Sequence, residues 1–127
     1  MNEDMVLVPT TLVRSSRLTG YKIINNRGDN LGQSETFLVD LCYWKMPFIV
    51  ASFGGIEGLG SKWYIIPYEI ISFNTRKKKF ILGVSKNVIQ KAPGIDKNVW
   101  GAKPIDRCWL SGICHYYNVV PYWEMIG

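Results

Sequence analysis

The chain has 127 residues, a formal net charge of +5 and an apolar fraction of 47%, with five Trp, seven Tyr and five Phe. That is enough apolar and aromatic sequence for the core of one domain, which excludes a disordered tail. It contains no run of the roughly eighteen apolar residues needed for a membrane-spanning helix.

In chain order, Met1-Asn2-Glu3-Asp4 is acidic and lacks the charged-then-apolar layout of a signal peptide, so the expectation is a cytoplasmic protein. Residues 1–12 read as an N-terminal arm, with the apolar stretch Met5-Val6-Leu7-Val8 followed by Pro9. Ser15-Ser16-Arg17-Leu18 reads as a turn into a strand, Gly20-Tyr21-Lys22-Ile23-Ile24-Asn25, closed by turn residues Asn26 to Asn30. Gln33 to Leu41 reads as a half-buried strand because Phe37, Val39 and Leu41 recur with a period of two. Cys42 is expected to continue this apolar strand as a small hydrophobe. Tyr43 to Pro47 turns the chain into the next strand, Phe48 to Phe53.

Four glycines then fall within seven residues, Gly54 to Gly60, between Phe48-Ile49-Val50-Ala51 and Trp63-Tyr64-Ile65-Ile66. Gly55 and Gly60 have the spacing of a phosphate-binding P-loop, but Ser61-Lys62 reverses the required Lys-Ser/Thr order. A P-loop must also run into a helix whose N-terminal amides hold the phosphates. Here the following residues are β-branched and aromatic and meet Pro67 within a helical turn. The segment therefore reads as a glycine-rich hairpin connection and binds no nucleotide.

Glu69 to Phe73 and Lys79 to Val84 read as strands joined by a basic turn, Arg76-Lys77-Lys78-Lys79. One short helix is predicted near residues 85–92, with Ser85 as cap, Val88, Ile89 and Ala92 on one side, and Pro93-Gly94 as the stop. Asp96 to Asp106 reads as a polar loop anchored by Trp100, and residues 101–127 as an aromatic C-terminal extension. Short strands at intervals of about 8–12 residues with turns between them indicate a mainly β fold. A small antiparallel β-barrel is the compact solution, since closure removes unpaired sheet edges.

Three cysteines form no disulfide framework. Cys108, Cys114 and His115 are close in sequence, but Cys-x5-Cys-His is not a zinc spacing, and they read as structural residues with no metal or cofactor. Catalysis would have to use His115, the only histidine, and neither Ser111-Gly112 nor Cys114 sits in a nucleophile elbow. Glu35, Asp40, Glu57 and Glu69 are candidates for paired carboxylates only where the fold brings them together; carboxylates on strands otherwise face solvent. The chain is accordingly read as a protein without enzymatic activity.

Several motifs together resemble a PRC-barrel domain: Gly20-Tyr21-Lys22, Gly28-Asp29-Asn30-Leu31-Gly32, Val39-Asp40-Leu41, Ser52-Phe53-Gly54-Gly55, Gly58-Leu59-Gly60, Ile66-Pro67-Tyr68-Glu69 and Ala92-Pro93-Gly94-Ile95-Asp96. The resemblance covers about residues 13–100, between the arm at 1–12 and the extension at 101–127. The family is named for the cytoplasmic domain of the photosynthetic reaction centre H subunit, and the C-terminal domain of the ribosome-maturation factor RimM is similar. The resemblance implies a small, highly curved barrel that works by docking onto proteins and offers no catalytic residue to carry over. The H subunit's anchor helix and the ribosome factor's N-terminal domain have no counterpart in the sequence, so neither specific role transfers.

A barrel this small cannot bury all seventeen aromatic residues. Aromatic side chains are enriched at interface centres. Tyr116, Tyr117, Tyr122 and Trp123 are therefore expected to pack either against the barrel or against a second copy in a homodimer. The functional expectation is a protein–protein docking module that associates with itself. The alternative is an RNA- or ribosome-associated factor using Arg76, Lys77, Lys78 and Lys79 against phosphates.

Overall fold

The β-branched runs form seven strands in the computed structural model, which describes residues 12–102 and 104–125. They are β1 (Lys22–Ile24), β2 (Asn30–Asp40), β3 (Lys45–Ser52), β4 (Lys62–Pro67), β5 (Ile71–Asn74), β6 (Lys79–Leu82) and β7 (Ile95–Asp96). Three short α-helices follow β6: α1 (Lys86–Gln90), α2 (Arg107–Tyr116) and α3 (Tyr122–Met125). None is long and apolar enough to cross a membrane. Nearly all of the N-terminal arm expected over residues 1–12 lies outside the described residues.

The fold is mainly β, with one sheet in the order β5-β6-β1-β2-β3-β4-β7. The pattern of strands predicts a closed, wholly antiparallel barrel, and the sheet differs on both counts. It is open, with β5 and β7 as its edges, and β1 runs parallel to β6 through Ile23↔Phe80 and Ile24↔Ile81. Closure would require β7 to pair on both sides. It has only two residues, both engaged by Lys62 and Trp63 of β4.

Inside the sheet, Ile23, Leu31, Phe48, Val50, Phe53, Tyr64, Ile66 and Leu82 are almost wholly buried. Each such side chain is worth roughly 1.5–3 kcal/mol of transfer free energy. The helices supply the same core cluster with Ile89, Ile113, Cys114, Tyr117 and Tyr122. Buried Ser34 pins the preceding segment to β2: its hydroxyl donates to the Leu18 carbonyl and accepts from the Tyr21 amide at 3.2 Å.

The glycine-rich connection joins β3 to β4, so it runs into a strand and offers no helix N-terminus to a phosphate. Phe53, Ile56 and Leu59 turn inward and are buried, and the Gly55 amide donates to the Leu31 carbonyl at 3.0 Å. A Cβ on Gly55 would lie 2.3 Å from the Asn30 carbonyl oxygen, and one on Gly32 would lie 1.9 Å from that of Ser52. These glycines let two backbones approach where no side chain fits.

Two further expectations need correction. Register shifts at Ser34–Thr36 and Leu38–Asp40 break the period of two in β2. Phe37 and Leu38 are consequently both half-buried, while Val39 and Leu41 face solvent. Cys42 lies in the β2–β3 loop and is exposed, so it does not pack as a core hydrophobe. The short helix near residues 85–92 is α1, with Ser85 in the cap position, although its side chain makes no capping hydrogen bond.

Gly32→Ala is expected to cost about 2–3 kcal/mol in urea unfolding, because the backbone of β3 must move away from the new methyl group. Gly54→Ala should change stability by less than about 1 kcal/mol, since a Cβ there meets nothing within 4 Å.

Candidate docking surface

The β2–β3 hairpin closes through a four-residue loop, Leu41 to Trp44, with Asp40 paired to Lys45. Asp40 organises it. One carboxylate oxygen accepts the amides of Cys42 at 2.9 Å and Tyr43 at 3.1 Å, an Asx turn made by a side chain. The other accepts the Tyr122 hydroxyl from α3. That hydroxyl holds the Asp40 carboxyl below its ordinary value against the opposing effect of burial; the loop amides and the nearby Arg107 act in the same sense. Tyr122 is itself pushed upward, by burial first and then by its bond to Asp40.

Trp44 closes the loop with φ 53°, in the left-handed region. For a residue with a bulky side chain this costs on the order of 1–2 kcal/mol relative to ordinary conformations. Its indole makes no compensating burial, being 81% exposed, and Leu41 is 70% exposed beside it.

A second layer comes from α2 and α3. Asp106 caps α2 by accepting the Trp109 amide at 2.9 Å. The next residue, Arg107, places its guanidinium 5.9 Å from the Tyr43 ring centre and 5.6 Å from that of Trp123. The Lys45 ammonium lies 5.7 Å over the Tyr122 ring. Tyr122 meets Tyr43 edge-on at 5.7 Å and Trp123 at 5.1 Å. Cation–π and aromatic contacts of this kind contribute roughly 0.5–1.5 kcal/mol each. They hold the tail against the hairpin and leave a groove of about 470 Å³ whose lining includes Val39, Leu41, Ile105, Leu110 and Trp123.

Of the four aromatic residues singled out by sequence, Tyr117 and Tyr122 are buried within the chain, and Trp123 is half-buried. Tyr116 is 36% exposed and donates its hydroxyl to the Val88 carbonyl on α1. They form two separate pairs, Tyr116 with Tyr117 and Tyr122 with Trp123. The basic run is an exposed turn between β5 and β6 at Arg76 to Lys78, with Lys79 opening β6 opposite Asn74.

Cys108 and His115 are exposed on α2, whereas Cys114 is buried and its thiol is pushed up to about 11, chiefly by desolvation. No metal-holding group of three or more His, Cys, Asp or Glu side chains occurs among the described residues. The carboxylates have separate surroundings: Glu35 accepts the Ser52 hydroxyl at 2.5 Å, while Asp40 serves the hairpin and Tyr122.

Reasoning from sequence passed over the hairpin tip, reading Tyr43 to Pro47 only as a turn. The available signal was its composition: Leu41-Cys42-Tyr43-Trp44 sits where glycine and polar residues normally make the turn. No protein-family model matches this chain, and no curated protein matches it.

Tyr122→Phe should move the Asp40 carboxyl upward, toward its ordinary value of 3.8, in an NMR titration. Because Asp40 is held lower in the folded chain than in the unfolded one, its contribution to stability is present above about pH 4 and fades as pH falls through the folded value. The stability gap between wild type and variant should therefore close in acid. Tyr122 behaves oppositely: with its folded value raised above 10.0, it stabilises below that pH, and the benefit is lost as pH rises further.

Tyr117→Phe should leave stability unchanged or raise it by about 1 kcal/mol in thermal unfolding, because the Tyr117 hydroxyl is buried without a hydrogen-bond partner.

Proposed function

We propose that this chain is a non-catalytic protein-docking module of the PRC-barrel type, acting in the cytoplasm. The motifs quoted from residues 13–100 support the family reading, as do the glycine-rich connection between β3 and β4 and the short helix α1. The observation that carries the docking function is the apolar hairpin tip, Leu41 and Trp44, continuous with a groove walled by the C-terminal helices. An exposed indole in an unfavourable backbone conformation contributes nothing to folding, and such positions concentrate where a surface meets a partner. A cysteine with its thiol near 11 is not a thiolate at neutral pH, and His115 is exposed whereas Cys114 is buried. That pairing gives no activated nucleophile.

The second reading, RNA association, rests on the exposed Lys77 and Lys78 in the β5–β6 turn, where Lys78 has φ 55°. A photo-cross-linking amino acid at exposed position 42 of the same loop, compared with one at Thr75 in the basic turn, separates the two in living cells and leaves Trp44 in place. Docking predicts protein adducts from position 42 in clear excess over Thr75. Adducts to RNA from Thr75, with none to protein from position 42, would favour the alternative.

A further inference from the structure

We infer that the occupant of this surface is a second copy of the chain, paired about a twofold axis so that the hairpin tip of each protomer enters the groove of the other. The inference rests on the docking reading above and names its partner.

Shape is the first argument. Leu41 lines the groove, and Trp44 stands three residues further along the same loop, so knob and groove share one neighbourhood. A surface carrying both halves of a complementary pair is what an isologous contact needs, since rotation sets each knob opposite the other groove. At about 470 Å³ the groove falls within the range that receives bulky apolar groups, roughly 300–1,000 Å³.

Area points the same way. Trp44 at 81% exposure offers on the order of 200 Å². With Val39, Leu41 and Ile105, exposed and lining the groove beside it, the apolar surface is on the order of 500 Å², the size of the largest and often functional patch on a monomer. A standard stable contact takes roughly 800 Å² per partner, so this patch has the size of its apolar centre.

Charge chooses the occupant. Around the loop and groove, Lys45 and Arg107 are balanced by Asp40 and Asp106, so the chain's +5 is carried elsewhere. Two copies meeting here bring no net repulsion, whereas an anionic bilayer or a nucleic acid would find no excess positive charge to neutralise. Trp44 supplies the remaining support, because a strained and solvent-exposed indole is accounted for once it is an anchor buried in a partner.

The test is sedimentation velocity of the full chain over a micromolar-to-millimolar series, with Trp44→Gly and Leu41→Ser beside it. Wild type should pass from the mass of one chain to that of two. Each variant should dimerise at least about thirty-fold more weakly, the effect of removing an interface anchor. Trp44→Gly should melt no lower than wild-type monomer, since glycine accepts the left-handed φ without strain, so lost dimerisation cannot be ascribed to unfolding. A wild type that stays monomeric throughout overturns self-pairing, as does a dimer of undiminished affinity in both variants. A monomer that sediments with phosphatidylserine vesicles in a Trp44-dependent way overturns it in favour of a lipid surface. Where the chain is monomeric but position 42 still cross-links to another protein, only the self-pairing fails and docking stands; with no adduct of any kind, both fail.

Discussion

One carboxylate ties together parts of the chain 82 residues apart: Asp40 accepts the Tyr122 hydroxyl while accepting two amides of its own hairpin loop. The conformation of the loop and the position of the tail are therefore not independent. Without the carboxylate, the Cys42 and Tyr43 amides lose their acceptor and the buried end of Tyr122 loses its own. Without Tyr122, the loop could still close, but Lys45 would lose the ring beneath it, Tyr43 its edge-on neighbour and Phe48 a tilted one. The groove exists because this bond fixes one wall against the other.

The same dependence explains how an open sheet makes a core. With β5 and β7 as unpaired edges, the sheet alone would leave the apolar side chains of β4 partly uncovered. Instead α2 packs on β4, and Ile113, Cys114 and Tyr117 join a cluster that already contains Tyr64, Ile65 and Ile66. Trp63 is covered by Trp100, with ring centres 5.4 Å apart. Helices and aromatic rings thus do the sealing that strand pairing does in a closed barrel. The C-terminal third is an integral wall of the domain, and its aromatic richness reflects that covering role.

The strands were legible because their signals are local. β-branched runs between Asn, Gly and Pro-rich turns located β1 to β6, and Asn25, which accepts the Arg27 and Asp29 amides at 2.9 Å, shows the turn chemistry at work. What was not legible depends on register and on distant partners. Val39 and Leu41 carry a half-buried alternation in sequence, yet two bulges in β2 turn them outward. Helix α2 was hidden because Gly112 and the aromatic residues Trp109 and Tyr116 lower its intrinsic propensity; its Asp106 cap and the spacing of Leu110, Ile113, Cys114 and Tyr117 were the signals present. The aromatic tail stood out by composition, but no sequence pattern could tell that it would divide into two pairs or that Tyr122 would find Asp40.

The contrast between two kinds of unusual backbone position separates folding from function. Gly32 and Gly55 stand where neighbouring carbonyl oxygens would collide with any side chain, so their identity follows from the packing of β2 against β3 and its loop. Trp44 is the reverse: its backbone adopts a conformation suited to glycine, while the residue present is the largest available and lies almost wholly in solvent. Among the described residues, nothing recovers that cost. A residue that opposes local preference without compensation among the described residues is one that the packing of the domain does not account for, and this sets Trp44 apart from Gly32 and Gly55.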